Sequence, residues 1–266
     1  MAIPFDVQQQ ALHPFRDVFP PTGTETVECD GIIVCMHPLP SAKIVEPANL
    51  HIDEIETAVA RARAIVGESG SSLLAWWISP EHASIGERLE QLGLVNEDTP
   101  GFEKVENAMA LIDVPAGEWP DEIVVTEVES FEDFRTSNDV RDSAFVMPQA
   151  MRDASAATLP KQYEEYSTPG NSSRQFNASI AGEVVGTAAA VRGAAGVNLF
   201  GGAVVSEARG RGVYRALTHA RWKFAVDCGT PALTIQAGRM SRPVVEQLGF
   251  TLVGEARVYV DDFARV

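Results

Sequence analysis

Residues 198–214 read N-L-F-G-G-A-V-V-S-E-A-R-G-R-G-V-Y, and the fold can be worked out from this stretch. The apolar run Leu199 to Val205 has the length and the β-branched content of a buried strand. A polar turn with two glycines follows, and apolar residues then recur on one face at helical spacing: Val213, Ala216, Leu217, Ala220 and Phe224. The predicted order is therefore strand, glycine–arginine turn, helix.

This order of elements favours a phosphate-binding site. The first N–H groups of a helix have no partner within it and carry partial positive charge, and glycine lets the backbone approach a ligand closely. Residues 206–223 hold five basic side chains and one acid, in a chain whose formal net charge is −16. The local reversal of charge predicts a bound polyanion. On the sequence pattern alone, the alternative is that these residues form a tight turn into a helix and bind no phosphate.

Two common phosphate-binding motifs are excluded. A P-loop ends in Gly-Lys-Ser/Thr, and no such ending follows here. The dinucleotide fingerprint needs a third glycine, and Arg215 stands at that position.

The same turn resembles the acyl-CoA signature of the GNAT superfamily of N-acetyltransferases, Gln/Arg-x-x-Gly-x-Gly/Ala, with Tyr214 in place of the final small residue. The resemblance implies a strand that parts from its neighbour, with the backbone of Val204 and Val205 pairing with pantetheine. It implies that the pyrophosphate is bound by Arg209, Gly210, Arg211, Gly212, Val213, Tyr214 and Arg215. Ser241 is a further candidate for a pantetheine contact, although it can equally be the N-cap of the last helix.

The catalytic residues stay unassigned. Leu248-Gly249-Phe250 resembles the second motif of the family, Tyr-x-x-Leu-Gly-Phe, but Val245 stands where the Tyr that protonates the CoA thiolate is usual. Gly238 stands at the position often held by Asn. We expect the N–H of Val205 to hold the thioester carbonyl oxygen. Tyr214 and Ser241 remain alternative proton donors.

An internal similarity predicts two related halves. Leu89-Glu90-Gln91-Leu92-Gly93-Leu94 resembles the segment 156 residues later, Val245-Glu246-Gln247-Leu248-Gly249-Phe250. The predicted fold class is α/β (α+β): a GNAT-like, mixed and mostly antiparallel sheet flanked by helices, in two halves. The expected boundaries are 1–116, a degenerate half without the glycine–arginine turn, and 121–266, the acyl-CoA-binding half, with a linker between them that is rich in proline and glycine.

Composition excludes several classes of function. The chain of 266 residues is 45% hydrophobic and 22% charged, as in ordinary globular proteins. Its acidity argues against nucleic-acid or membrane-surface partners. We expect no membrane span, no metal, free thiols at Cys29, Cys35 and Cys228, and a cytoplasmic location. The sequence leaves open whether the chain forms a homo-oligomer.

The leading expectation is an acetyl-CoA-dependent N-acetyltransferase that acts on an amine of a small-molecule or peptide acceptor. One alternative is a non-catalytic CoA-binding sensor or scaffold, because Val245 cannot act as an acid. Another is an enzyme that modifies a cationic toxin or antibiotic in an acidic cleft. The acceptor pocket is expected to involve residues 131–168.

Overall fold

Eleven strands and seven α-helices form within residues 2–16, 22–37, 42–99 and 102–265, the parts of the chain that the computed structural model describes. The strands are β1 Glu25–Cys29, β2 Ile32–Met36, β3 Lys43–Pro47, β4 Leu73–Ile78, β5 Val105–Leu111, β6 Ile123–Glu127, β7 Ser173–Ile180, β8 Glu183–Arg192, β9 Val197–Val204, β10 Leu233–Ala237 and β11 Thr251–Asp262. The helices are α1 Phe5–Leu12, α2 Ile55–Glu68, α3 Ala83–Gln91, α4 Phe131–Ala144, α5 Gln149–Tyr166, α6 Val213–Asp227 and α7 Arg242–Gln247.

All the strands belong to one sheet, in the order β1-β2-β3-β4-β11-β5-β10-β9-β8-β7-β6. Two neighbouring pairs are parallel, β3 with β4 and β9 with β10, and the other pairs are antiparallel. The predicted fold class, a mixed and mostly antiparallel sheet flanked by helices, is confirmed.

The two halves of the chain exchange strands at the centre of the sheet. Strand β11, from the end of the chain, lies between β4 and β5. Strand β5, from the first half, lies between β11 and β10. A division at residues 116–121 therefore separates the chain into two segments but does not separate two closed sheets, because each segment completes the sheet of the other.

The helices cover both faces of the sheet unequally. The helices α2 and α3 pack on one face of the first half, against Trp76 and Tyr259. On the same face α6 and α7 cover the second half, because Met109 and Leu111 of β5 share a core with Leu217 and Val245. The other face carries α1, which packs on β5, β10 and β11, and α4, which lies over β7, β8 and β9 and packs against α5.

The internal similarity is visible in the helix that follows each parallel pair. Helix α3 ends at Gln91 and α7 ends at Gln247, and Gly93 and Gly249 continue each chain with φ of 89° and 96°. Only glycine adopts such angles without strain, which explains why the Leu-Gly-apolar ending occurs twice.

The sequence Asp30-Gly31 is typical of a hairpin turn, and it joins β1 to β2. Trp76 and Trp77 alternate along β4, so one lies in the core on each face of the sheet. Strand β3 was not predicted, because Pro47 ends a run of only five residues. The break expected at residues 38–40 lies outside the described residues. Within the described segments, no helix has the length and apolarity required to span a bilayer.

Candidate functional site

Strands β9 and β10 part after a short parallel contact. Their pairing is limited to Val197 with Leu233 and Asn198 with Thr234, although β9 continues to Val204 and β10 to Ala237. The Oγ1 of Thr234 donates to Oδ1 of Asn198 at 2.8 Å and holds the closed end together. The parted strands leave a gap in the sheet that opens towards the glycine–arginine turn.

A bulge bends β9 along this gap. The register with β8 shifts between Thr187 and Ala189, and Gly201 opposite this shift has φ of 55°. A Cβ placed on Gly202 would lie 2.8 Å from Cε2 of Tyr214, so only glycine allows the tyrosine ring to approach β9 here. The bulge and the ring of Tyr214 therefore form one wall of the gap.

The glycine–arginine turn leaves a series of backbone N–H groups without partners. A 3-10 turn covers Ser206–Ala208, and Gly210 and Gly212 have φ of 78° and 92°. Among the described residues, the N–H groups of 210–215 donate to no protein acceptor, and the first N–H that bonds back belongs to Ala216, which donates to Gly212. These groups lie at the N-terminus of α6, where the dipole favours an anion. The turn can therefore hold a phosphate.

The two glycines have different surroundings. No atom lies within 4 Å of a Cβ placed on Gly210, whereas one on Gly212 would lie 3.2 Å from Cδ of Pro120. The linker thus packs against the helix start at Gly212, and the open side of the turn is at Gly210. In the same linker, the ring of Trp119 packs against the ring of His219. The Nε2 of His219 lies 3.1 Å from the carbonyl oxygen of Gly117.

Val205 cannot supply the N–H that the sequence suggested. This N–H donates to the carbonyl oxygen of Val185 in the neighbouring segment of β8 at 3.0 Å. Because successive residues of a strand alternate in the direction of their N–H groups, the N–H of Val204 faces the gap instead. The expectation that the N–H of Val205 holds the thioester carbonyl oxygen is therefore wrong.

Guanidinium groups of the turn bind the protein itself. Arg209 donates from Nε to the carbonyl oxygen of Val204 at 3.1 Å and from Nη2 to that of Ala144 at 3.0 Å. Arg215 donates from Nη1 to the carbonyl oxygen of Glu118 at 2.8 Å. These two side chains organise the turn by binding backbone carbonyl groups, and their contact with a pyrophosphate stays a prediction.

Arg211 differs from its two neighbours. Its Nη2 pairs with Oε1 of Glu122 at 2.7 Å, and both side chains are about half exposed. Such exposed pairs contribute only about 0–1 kcal/mol, so Arg211 can exchange this partner for a phosphate.

The positions expected to carry acid chemistry on α7 are apolar or engaged. Val245 is completely buried in the core of the second half. The hydroxyl of Ser241 donates to the carbonyl oxygen of Gly238 at 3.3 Å, and it does not cap the helix that follows. The structure leaves the pantetheine contact of Ser241 as a proposal.

A carboxyl group that the sequence did not single out lies beside the end of β10. Glu106 follows in register the last pair of β5 with β10, Asn107 with Ala237, and shares its face of the sheet with Ala108 under α1. Glu106 is half-buried, and it makes no ion pair in the segments that the structure describes. Burial, and secondly the charge of Glu103, raise the pKa of Glu106 to about 7. No motif marks such a residue, because its position depends on the strand exchange.

In the first half, the loop after β3 and the gap between β3 and β4 correspond to this site, but other parts of the protein fill the gap. The N–H groups of Ala48 and Asn49, in the loop after β3, both donate to the carbonyl oxygen of Gly31, at 2.8 and 3.1 Å. Where β3 and β4 part, the N–H groups of Phe15 and Arg16 donate to Oε2 of Glu46 at 3.0 and 3.1 Å. The chain after α1 therefore occupies this gap, and the first two N–H groups of the loop are engaged within the protein.

Comparison with known proteins supports the fold. No family model matches the chain, and no curated protein matches it. Among solved structures it is similar to a GCN5-related N-acetyltransferase from Kribbella flavida, with a TM-score of 0.70 at 13% identity over 98% of this chain and 96% of that one.

Two further structures have the same architecture. A GCN5-related N-acetyltransferase from Sphaerobacter thermophilus has a TM-score of 0.61 at 15% identity, over 88% of this chain and 81% of that one. A tandem GNAT protein from the clavulanic acid biosynthesis pathway has a TM-score of 0.58 at 15% identity, over 98% and 89%. The chain thus has the GNAT fold in its two-part form.

Proposed function

We propose that the protein is an acyl-CoA-dependent N-acyltransferase that transfers an acetyl group to the amine of a small molecule. The observation that carries this proposal is the set of unpaired N–H groups at 210–215, which lies at the open end of the gap between β9 and β10. A pyrophosphate accepts from such donors, and a pantetheine arm can pair with the unpaired edge of a parted strand. The residues present therefore fit acetyl-CoA as a substrate.

The chain offers one group that can bind the thioester carbonyl oxygen and another that can take the proton of the amine. The N–H of Val204 faces the gap and can donate to the carbonyl oxygen of a thioester, where negative charge develops during attack. Glu106 lies on the opposite flank, beyond the end of β10. A carboxyl group with a pKa of about 7 is half ionised near neutral pH and is a suitable base. We assign to Glu106 the proton that the attacking amine loses.

Binding and turnover are tested separately. Isothermal titration with acetyl-CoA measures the first, and no binding at hundreds of micromolar would contradict the proposal. The variant Arg211→Glu removes a cation that can reach a phosphate, and we expect it to weaken binding about 10-fold or more. The matched control is Lys223→Glu, which makes the same change of charge at an exposed ion pair with Asp227, further along the same helix.

A second candidate is a CoA-binding protein without catalysis, which the burial of Val245 favours, since valine cannot donate a proton there. A panel of amines, amino acids and aminosugars, with detection of the released thiol, separates the two candidates. Turnover of any acceptor excludes the non-catalytic one. Binding without turnover across the panel supports it.

A further inference from the structure

Arg221 is a buried cation without a carboxylate partner. Its side chain has 0% exposure on α6. Nε donates to the carbonyl oxygen of Leu217 at 3.1 Å, and Nη2 donates to Oγ1 of Thr218 at 3.2 Å. Nη1 is buried with no hydrogen-bond partner, and no acidic residue in the described segments forms an ion pair with this guanidinium. A buried charge in this state is costly, and its presence needs an explanation.

The neighbour that Arg221 does have is an aromatic ring. The Cζ of Arg221 lies 5.3 Å from the centre of the Tyr214 ring. Tyr214 lies one turn of α6 before Thr218. Burial lowers the pKa of the Arg221 guanidinium, and its interaction with Tyr214 opposes that fall. The ring of Tyr214 is thus the neighbour that faces this buried charge.

Tyr214 extends from this cation to the gap. It is only partly buried, and its hydroxyl oxygen lies 3.6 Å from the point where a Cβ of Gly202 would stand. Gly202 belongs to the bulge of β9, beyond the last pair of β9 with β10. The phenol therefore links a buried positive charge to the bulge of β9 that lines the gap, two residues from Val204.

Other proton donors on this face of the sheet are engaged or missing. Ser241 donates its hydroxyl to Gly238, and Val245 has no proton to donate. His219 faces the linker, where it contacts Trp119 and the carbonyl oxygen of Gly117. Tyr214 is thus the donor on α6 and α7 that the described structure directs at the bulge.

We propose that Tyr214 is the catalytic residue that protonates the thiolate leaving group, and that Arg221 is the positioning residue that holds the phenol in place. The inference rests on the proposed function. The amine nitrogen bonds to the carbonyl carbon as the carbon–sulfur bond breaks, and the electron pair of the broken bond stays on sulfur. Sulfur takes the proton of Tyr214. The phenolate then recovers a proton from water, and Glu106 releases to water the proton that it took from the amine.

The test compares the binding of CoA with that of desulfo-CoA, which lacks the sulfur atom, at about pH 9, where much of a free thiol is ionised. If Tyr214 donates to sulfur, the wild-type protein binds CoA about 10-fold more tightly than desulfo-CoA, as expected for one charge-assisted hydrogen bond. We expect Tyr214→Phe, which keeps the ring, to bring this ratio close to 1 and leave the affinity for desulfo-CoA unchanged.

Arg221 is tested by the same ratio. We expect Arg221→Met to lose most of the preference for CoA, and Arg221→Lys to recover part of it. A purely structural role would lower the stability of the fold, or both affinities together, and leave the ratio intact, which would overturn the positioning role. A urea titration of each variant reports the stability.

The outcomes separate the two proposals. If the wild-type protein binds both compounds and Tyr214→Phe keeps the wild-type ratio, this inference is wrong and the proposed function stands. If the wild-type protein binds neither compound, both are wrong. With an acceptor from the amine panel, we further expect Tyr214→Phe to lower kcat about 100- to 10,000-fold with little change in KM.

Discussion

Gln10 of α1 donates through Nε2 to Oγ1 of Thr234 in β10 at 3.1 Å, which ties the first helix of the chain to the closed end of the gap in the second half. Its Oε1 accepts the N–H groups of Ala195 and Gly196 at 2.9 and 3.1 Å. The side chain has no exposed surface. Helix α1, near the start of the chain, is thus part of the structure that supports the gap between β9 and β10.

Truncation of this side chain should destabilise the fold. We expect Gln10→Ala to lower the free energy of unfolding by about 2–4 kcal/mol, because it leaves one buried and one partly buried N–H group without an acceptor. Urea denaturation measures the change. The control Gln8→Ala, in the same helix, removes one hydrogen bond to Ile3 at a partly exposed position, so a change of under about 1 kcal/mol is expected. Equal effects of the two variants would contradict the bracing role of Gln10.

The exchanged strand β11 is held to the first half by a two-bond ion pair. Nε and Nη2 of Arg63, on α2, donate to the two carboxylate oxygens of Asp261, both at 2.9 Å. Asp261 is 4% exposed. We expect Arg63→Met to cost about 2–4 kcal/mol, because it leaves this carboxylate buried without a counter-ion.

The neighbouring Arg61 provides the control for Arg63. Its Nε lies 3.8 Å from Oδ2 of Asp30, and both side chains are more than half exposed. Arg61→Met should therefore change stability by less than about 1 kcal/mol. Thermal or urea unfolding distinguishes the two variants, and a small effect at Arg63 would show that β11 is held by its backbone pairing alone.

The two glycines of the phosphate turn should respond differently to alanine. Both have positive φ, which costs about 1 kcal/mol for alanine. At Gly212 the new methyl group also approaches Pro120 at 3.2 Å, whereas at Gly210 it enters open space. We expect Gly212→Ala to destabilise the fold more than Gly210→Ala. Urea midpoints measure the order, and the reverse order would mean that the linker does not pack on the helix start.

Glu106 should make stability depend on pH in a defined direction. Its pKa is raised from 4.5 to about 7 in the folded protein. The folded state therefore binds the proton more tightly, and the contribution of this group to stability falls as pH rises from about 4.5 to 7. We expect Glu106→Gln to match the wild-type stability near pH 4 and to exceed it by about 1–3 kcal/mol near pH 8.

Urea unfolding at several pH values tests this dependence, with Glu90→Gln, an exposed position on α3, as the control. A wild-type advantage near pH 8 would contradict the raised pKa. In turnover, the rise of kcat/KM with a midpoint near pH 7 should be absent from Glu106→Gln. A rise that persists in the variant would remove Glu106 as the base.

Local patterns in the sequence predicted most of the elements. The Asp30-Gly31 turn predicted a hairpin, and the Leu-Gly ending marked the end of both α3 and α7. Residues 148–158 read as a helix from their sequence, and α5 continues beyond them, through Pro160, to Tyr166. Strand β3 was missed, because Pro47 argues against a strand and only the pairing with β2 and β4 places this segment in the sheet. These errors occur where tertiary contacts outweigh local preference.

The sequence alone determined the strand, the glycine–arginine turn and the helix at 198–227, because strand periodicity, positive φ at glycine and helical spacing are local properties. Only the tertiary structure decided which donors stay free. It directed the N–H of Val205 to Val185, gave Arg209 and Arg215 partners within the protein, and brought Glu106 beside β10 through an exchanged strand. Hydrogen-bond partners and strand neighbours are set by residues far apart in the chain, and no local pattern contains them.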